Sequence, residues 1–355
     1  MQSALAGAPS EDFDTLAVAI ARFQHVTVEP IARLAANRGL EPSALARADD
    51  IVALPCDTFR MRRIAAHGPE RDTRQFCSSG TTLGAEHRST HPFRTTQTYT
   101  YGALGWGRQW LWPDREDLHF VGLVATEQEA PDSSLSFMLA RFAESLTGPS
   151  NWSYRDGRLD LDGIQTACAA ATEAQAPVLV AGTAFALVHL CDALGDRRLP
   201  LPAGSRVMQT GGFKGRTREV EPVTLRQLVA DRLAVPAPLV IGEYGMTELS
   251  SQLYQGSLRA ALGGGPTPAS DTAYFAPPWV RVCAVDPTTL APVSQGTEGL
   301  CRLVDLANVD SAVAIQTEDR IRQQADGSIE LLGRAVGATL RGCSLAAEHL
   351  LEPTS

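Results

Sequence analysis

The chain has 355 residues, 44% hydrophobic and 20% charged, a globular composition with room for one large domain or two. A net charge of −9 argues against a surface for nucleic acid or for an anionic membrane, so an anionic ligand needs a local cluster of donors. Seven scattered cysteines, none in a CxxC pair, point to reduced thiols in the cytoplasm rather than to a disulfide framework or zinc ribbon.

No basic start followed by an apolar run marks residues 1–10 as a signal peptide. Apolar positions at helical spacing predict a helix over 13–23, capped by Ser10 or Asp12. Glu29 and Pro30 open a second, running to Arg38 and stopped by Gly39. A third is expected over 54–66, its Arg60, Arg62 and Arg63 on a solvated face. Helix is also expected through much of 90–112, where Tyr99, Tyr101, Trp106, Trp110 and Trp112 read first as core.

From there strands and helices alternate. Strands are predicted at 118–124, 177–181, 206–209 and 239–242. Helices are predicted at 133–146 (capped by Asp132), 161–174, 183–194 and 223–233. The apolar stretch 177–190 is too short and too mixed to span a bilayer. The alternation means an α/β layered fold with a largely parallel sheet. After a Gly/Pro connector at 263–268 come short strands at 279–285, 299–304, 313–315, 329–332 and 338–341, a β-rich subdomain.

Five segments carry candidate chemistry. Ser78, Ser79, Gly80, Thr81 and Thr82 form a hydroxyl-rich loop whose glycine lets backbone N–H groups approach an anion. An ordinary polar turn is the plain alternative. Gly211 and Gly212 follow a strand, where a flat ligand can approach the backbone; an ordinary strand-to-helix turn would look the same. Tyr244, Gly245, Met246, Thr247 and Glu248 follow another strand and offer a ring, a hydroxyl and a carboxylate able to hold Mg²⁺; the alternative is a capped helix start. Asp319, expected at a strand end, can accept from both ribose hydroxyls, and Arg334 suits phosphate or ribose; a surface turn and a surface arginine are the alternatives.

Together these segments resemble the adenylate-forming (acyl-AMP) superfamily. The order and rough spacing fit from about residue 76 onward, with Tyr244 to Glu248 similar to its Tyr-Gly-x-Thr-Glu signature. Residues 131–138, the turn at 210–212 and residues 341–348 resemble the acyl-protein synthetase of bioluminescence fatty-acid reductase complexes, with phenylacetate–CoA ligases as more distant relatives. The resemblance implies layered αβαβα sheets plus a β-rich subdomain: an N-terminal helical region (1–70), an α/β nucleotide- and substrate-binding core (71–260) and a β-rich part ending at the family's hinge (261–355), with the C-terminal lid domain absent.

It also implies ATP and Mg²⁺ as cofactors and a carboxylic acid, aryl or fatty acyl, as substrate. Thr81 and Thr82 would grip phosphates, with Ser78, Ser79 and Gly80 as part of the same loop. Gly211 and Gly212 would border adenine, and Tyr244 would stack on it, with Gly245 and Met246 continuing that motif. Thr247 would touch the α-phosphate, Glu248 would hold Mg²⁺, Asp319 would bind ribose and Arg334 would assist. The family loop continues through Pro-Lys; here Arg88 would have to substitute, and Lys214 is the lysine near these motifs for a catalytic role. The acyl acceptor would be a thiol of a partner, an acyl-transferring reductase or a carrier protein.

Rival readings lack residues. There is no Gly-Lys dipeptide for a nucleotide P-loop, no GxGxxG and no GxSxG. His87 and His91 have the spacing of a helical metal pair, but Pro92 biases His91 away from helix. A degenerate, lid-less binding or scaffolding subunit of a multienzyme complex is the alternative from another class. Keeping Thr247, Glu248 and Asp319 counts against it.

Overall fold

Asp12 accepts a hydrogen bond from Thr15 N at 3.0 Å and so caps the first helix, α1 (Phe13–Thr27), whose buried face carries Ala17, Val18, Ala21 and Gln24. The structure, a computed structural model, describes residues 11–79, 88–155, 157–211, 220–264, 270 and 272–335. Proline's fixed φ suits the opening of α2 (Glu29–Asn37), as the sequence predicts.

The expected helix over 54–66 is not found. Leu54–Pro55 instead form a short strand, β1, paired in parallel with residues 315 and 316, and helix is confined to α3 (Thr58–Met61). A pairing partner so distant in sequence leaves no trace in local periodicity. Two of the three arginines here are paired rather than simply solvated: Arg63 donates to both oxygens of Asp72 at 2.8 and 2.6 Å, and Arg60 pairs with Asp57.

Strands β2 (Arg74–Cys77) and β3 (Thr90–Phe93) form an antiparallel hairpin with Cys77 opposite Thr90 and Phe76 opposite His91. The helix expected from residue 90 therefore starts later, as α4 (Gln97–Leu111), because Pro92 disfavours helix at the residue before it. Tyr99, Trp106, Trp110 and Trp112 are core, while Tyr101 is exposed.

The alternation then runs as expected, through β4 (His119–Leu123), α5 (Ser134–Ser145), β5 (Ser150–Trp152), a small hairpin of β6 (Tyr154–Arg155) and β7 (Arg158–Leu159), α6 (Leu161–Glu173), β8 (Val178–Thr183), α7 (Ala184–Leu194), β9 (Arg206–Thr210), α8 (Pro222–Leu233) and β10 (Val240–Tyr244). Ser133 rather than Asp132 caps α5, its Oγ accepting from Ser136 N at 3.1 Å. Strands β5, β4, β8, β9 and β10 lie side by side in that order, all parallel. Strand β11 (Leu253–Gln255) adds antiparallel to β10, before a short helix, α9 (Ser257–Ala261). Strand β9 is buried along its whole length, as a strand covered on both faces must be.

The C-terminal part holds β12 (Tyr274–Phe275), β13 (Val280–Val285), β14 (Glu298–Asp305), β15 (Ala314–Gln323) and β16 (Ile329–Arg334), with β13 to β16 in an antiparallel meander. The short strand expected at 313–315 is thus a ten-residue one. Thr317, Glu318 and Asp319 lie inside it and not at its end, and the register with β16 slips between Asp319 and Ile321, a bulge that re-aims side chains. The strand expected at 338–341 lies outside the described residues.

The chain forms two compact units: residues 1–102 with 246–251 and 275–355, and residues 103–245 with 252–274. In the first, Ala17 and Ala21 of α1 pack with Ile51, Val304, Val313 and Ala314. In the second, Val121, Val180 and Val207 of the parallel strands pack with Leu187 and Leu190 of α7 and Leu225 and Val229 of α8. Each fully buried valine, leucine or isoleucine among them contributes about 1.5–3 kcal/mol.

Candidate active site

The hydroxyl-rich loop joins the two strands of the β2–β3 hairpin. At its base Ser78 N donates to Ser89 O and Ser89 N donates to Ser78 Oγ, both at 2.9 Å. Arg88, the expected substitute for the family's lysine, turns its guanidinium back onto the carbonyls of Ser78 and Cys77 and braces this base. Ser79 is exposed. Gly80, Thr81 and Thr82 lie outside the described residues, as do Gly212 and Lys214.

In the same unit, the segment 246–251 carries Met246, Thr247 and Glu248 without helix, so the capped helix start weighed from sequence is not what forms. The backbone turns here instead, with Leu249 N donating to Met246 O at 3.2 Å. Three buried polar side chains hold it. His91 Nδ1 on β3 lies 2.8 Å from Thr247 O. Asn308 Nδ2 donates to Glu248 O at 2.9 Å and to Ala312 O at 3.0 Å. Asp305, at the end of β14, accepts from Ser250 N at 3.1 Å, Ser251 Oγ at 2.8 Å and Ala307 N at 2.9 Å. Burial lowers the His91 imidazole from 6.5 to about 4, so the ring is neutral at physiological pH. A carbonyl can only accept, so Nδ1 carries the hydrogen. His87, its partner in the metal-pair spacing, lies outside the described residues.

Asp319 and Arg334 meet across β15 and β16, where they are register partners and Arg334 Nε lies 3.4 Å from Asp319 Oδ1. The Arg334 side chain is mostly exposed. Glu318 beside them has its pKa raised, first by burial and then by the charge of Asp57.

In the other unit, β9 and β10 run in register, with Thr210 opposite Glu243. Gly211, just past Thr210, has φ +69, a left-handed conformation that side-chain-bearing residues avoid. Tyr244 ends β10, and a Cβ on Gly245, just past it, would meet Glu243 Oε1 at 2.5 Å. Glu243 is a residue whose importance was missed from sequence. It is buried, accepts from Thr210 Oγ1, and burial raises its carboxyl from 4.5 to about 7. Its signal was a lone acid at the end of the otherwise apolar run 239–242. His91, Asp305 and Asn308 were missed for a different reason, since their partners are far along the chain.

The Glu243 shift gives a stability test. A raised acid stabilises the fold through its protonated form, fully below pH 4.5, and loses that contribution as the pH rises through about 7. Glu243→Gln keeps the shape without the charge. It is expected to melt higher than wild type by about 2–4 °C at pH 8, and no higher near pH 5. Thermal scans across this range check it; equal melting temperatures throughout would show that Glu243 does not carry the shift.

No protein-family model matches the chain. In sequence it is similar to the long-chain-fatty-acid–luciferin-component ligase of Aliivibrio fischeri, 19% identical over 322 residues, 86% of this chain and 79% of that protein. In structure it is similar to 2-hydroxyisobutyryl-CoA ligase, solved in an open conformation in complex with 2-HIB-AMP and CoA: TM-score 0.65, 12% identity, 90% of this chain and 68% of that one. It is also similar to ATP-bound MatB from Rhodopseudomonas palustris, with a TM-score of 0.51 and 13% identity over 82% of this chain and 51% of that one. The large α/β domain is the shared part. The chain thus shares the fold of these acyl-CoA ligases and is similar in sequence to an acyl-activating ligase.

Proposed function

We propose that the chain uses ATP to convert a carboxylic acid, fatty acyl or aryl, into an acyl-adenylate and passes the acyl group to a thiol of a partner protein. What carries this reading is the similarity, over 86% of the chain, to a ligase whose name joins a long-chain fatty acid to a luciferin component. The substrate carboxylate attacks the α-phosphorus, the bond to the bridging oxygen breaks, and pyrophosphate leaves with the electron pair. The partner's sulfur then attacks the acyl carbon and AMP leaves. A cysteine of an acyl-transferring reductase is the first candidate acceptor and a carrier-protein thiol the second.

The protein's share is positioning and charge. Thr247 donates to the α-phosphate, Asp319 accepts from the ribose hydroxyls, and Arg334 adds donors beside it. Tyr244 stacks on adenine, Gly211 and Gly212 border it, and Gly245 and Met246 belong to the same motif as Tyr244. Ser78, Ser79, Gly80, Thr81 and Thr82 hold the outer phosphates. Glu248 would hold Mg²⁺, with oxygens from the phosphates and water completing its coordination. When bound, the ion neutralises charge on the phosphates.

Carboxylate-dependent ATP–pyrophosphate exchange across a panel of fatty and aryl acids tests the activation step. Exchange with some of these acids is expected, and none with any acid refutes it. Transfer is tested separately, by acyl label appearing on a protein partner. Rapid acyl-CoA formation by the chain alone would overturn the partner-thiol step. Asp319→Ala leaves ribose hydroxyls unpaired, at about 1–3 kcal/mol. Its ATP affinity is expected to fall about tenfold or more by calorimetry, and unchanged binding removes Asp319 from the site.

A further inference from the structure

The peptide planes on either side of Glu248 are each held by a buried side chain. The plane between residues 247 and 248 carries the Thr247 carbonyl, 2.8 Å from His91 Nδ1. The plane between 248 and 249 carries the Glu248 carbonyl, which accepts from Asn308 Nδ2 at 2.9 Å. Because peptide units are rigid planes, the backbone at Glu248 has only the two rotations between them. Fixing both planes therefore fixes φ and ψ of Glu248, and with them the direction of its Cα–Cβ bond, from which the side chain sets out. Its own hydrogen bonds do not have to do this.

The two supports are themselves held. Asn308 is 1% exposed, and its own carbonyl accepts from Gln24 Nε2 at 2.6 Å. Gln24 is wholly buried, and its Oε1 accepts from Val313 N at 2.8 Å. His91 sits on β3 among the rings of Phe59, at 5.6 Å, and Phe93, at 4.3 Å. An apolar ring would suit these neighbours. A buried imidazole costs free energy unless its polar atoms are paired, and the bond to Thr247 O offsets that cost. Strand β3 also closes the hairpin that carries the hydroxyl-rich loop, so one side chain links the loop's base to the peptide before Glu248.

We propose that His91 and Asn308 are positioning residues that together set the backbone of Glu248, and that His91 registers it against the hairpin of the phosphate-binding loop. The catalytic part of this rests on the adenylation reading. The geometric part does not. Both act through Glu248 and its neighbour Thr247 and touch no substrate. Preorganised groups of this kind need a supporting shell, because a catalytic side chain displaced by even an ångström loses much of its effect.

The test compares His91→Phe, which keeps a ring between Phe59 and Phe93 but has no donor, with His91→Asn, whose Nδ2 can reach where Nδ1 lies. Amide hydrogen exchange is read for residues 247–251, and pyrophosphate exchange gives kcat and KM. In His91→Phe, amide exchange in 247–251 is expected to speed up about tenfold or more, with β14 and β15 unchanged. Its kcat should fall about tenfold or more, with the KM for the acid within about threefold of wild type. His91→Asn is expected to recover both to within about threefold. Wild-type amide protection and rate in His91→Phe would overturn the proposal. So would equal damage in both variants, since ring packing and not the hydrogen bond would then matter. If His91→Phe does not fold, Asn308→Ala is read for the same local loss of protection, and its absence overturns the proposal equally. A wild-type protein inactive with every acid would remove the adenylation reading instead. The positioning claim would then be decided by amide protection alone.

Discussion

Glu248→Gln is expected to lower carboxylate-dependent pyrophosphate exchange by about two to three orders of magnitude, the scale on which losing one preorganised electrostatic contact acts. The substitution changes neither size nor the backbone carbonyl that Asn308 holds, so the fold should survive. Glu248 is only 8% exposed, and a buried carboxylate becoming a neutral amide is not expected to destabilise the protein. The loss should therefore appear in kcat at unchanged melting temperature, and added Mg²⁺ should restore part of it. Exchange near the wild-type rate would remove Glu248 from the chemistry.

The second large effect is on stability. Asp305→Ala takes the acceptor from Ser250 N, Ser251 Oγ and Ala307 N at once. At about 1–3 kcal/mol for each unpaired buried donor, about 3 kcal/mol or more is expected, or about 6–12 °C in melting temperature. The penalty should depend on pH. Burial outweighs the three donors and raises the Asp305 carboxyl from 3.8 to about 6. Its contribution is complete below pH 3.8 and declines as the pH rises through about 6, so the variant should lose more at pH 5 than at pH 8. A penalty larger at pH 8, or none at either pH, would contradict this.

The alternating half of the fold was legible because each element carried its own signal. Strand β8 is a short apolar run, Thr183 caps α7, and Gly195 ends it. Strand β15 was legible only in its first residues. Its second half reads Glu318, Asp319, Arg320, Ile321, Arg322, a polar stretch whose strand character comes from pairing on both sides with β14 and β16. Segment 54–66 failed similarly, since β1 answers to β15 and not to its own composition.

In the site, the short motifs were visible as residue types in order. What holds them was not. His91 bonds a carbonyl 156 residues away, Asn308 one 60 away, and Gln24 one 284 away. No local pattern encodes such pairs; only the folded chain does. Lys214 lies outside the described residues, but it is the only lysine in the chain, so amine-directed labelling there reports on that position alone, apart from the amino terminus.

The six residues 246–251 belong to the unit built from 1–102 and 275–355, although both stretches flanking them in sequence belong to the other. No single cut in the chain can release either unit whole. A break after residue 245 leaves His91 and Gln24 on one fragment, with Thr247, Glu248, Asp305 and Asn308 on the other. Each fragment alone then has buried polar groups without their partners, and reassociation restores them. The chain is thus suited to fragment complementation at this junction, where recovered activity reports that two fused proteins have met.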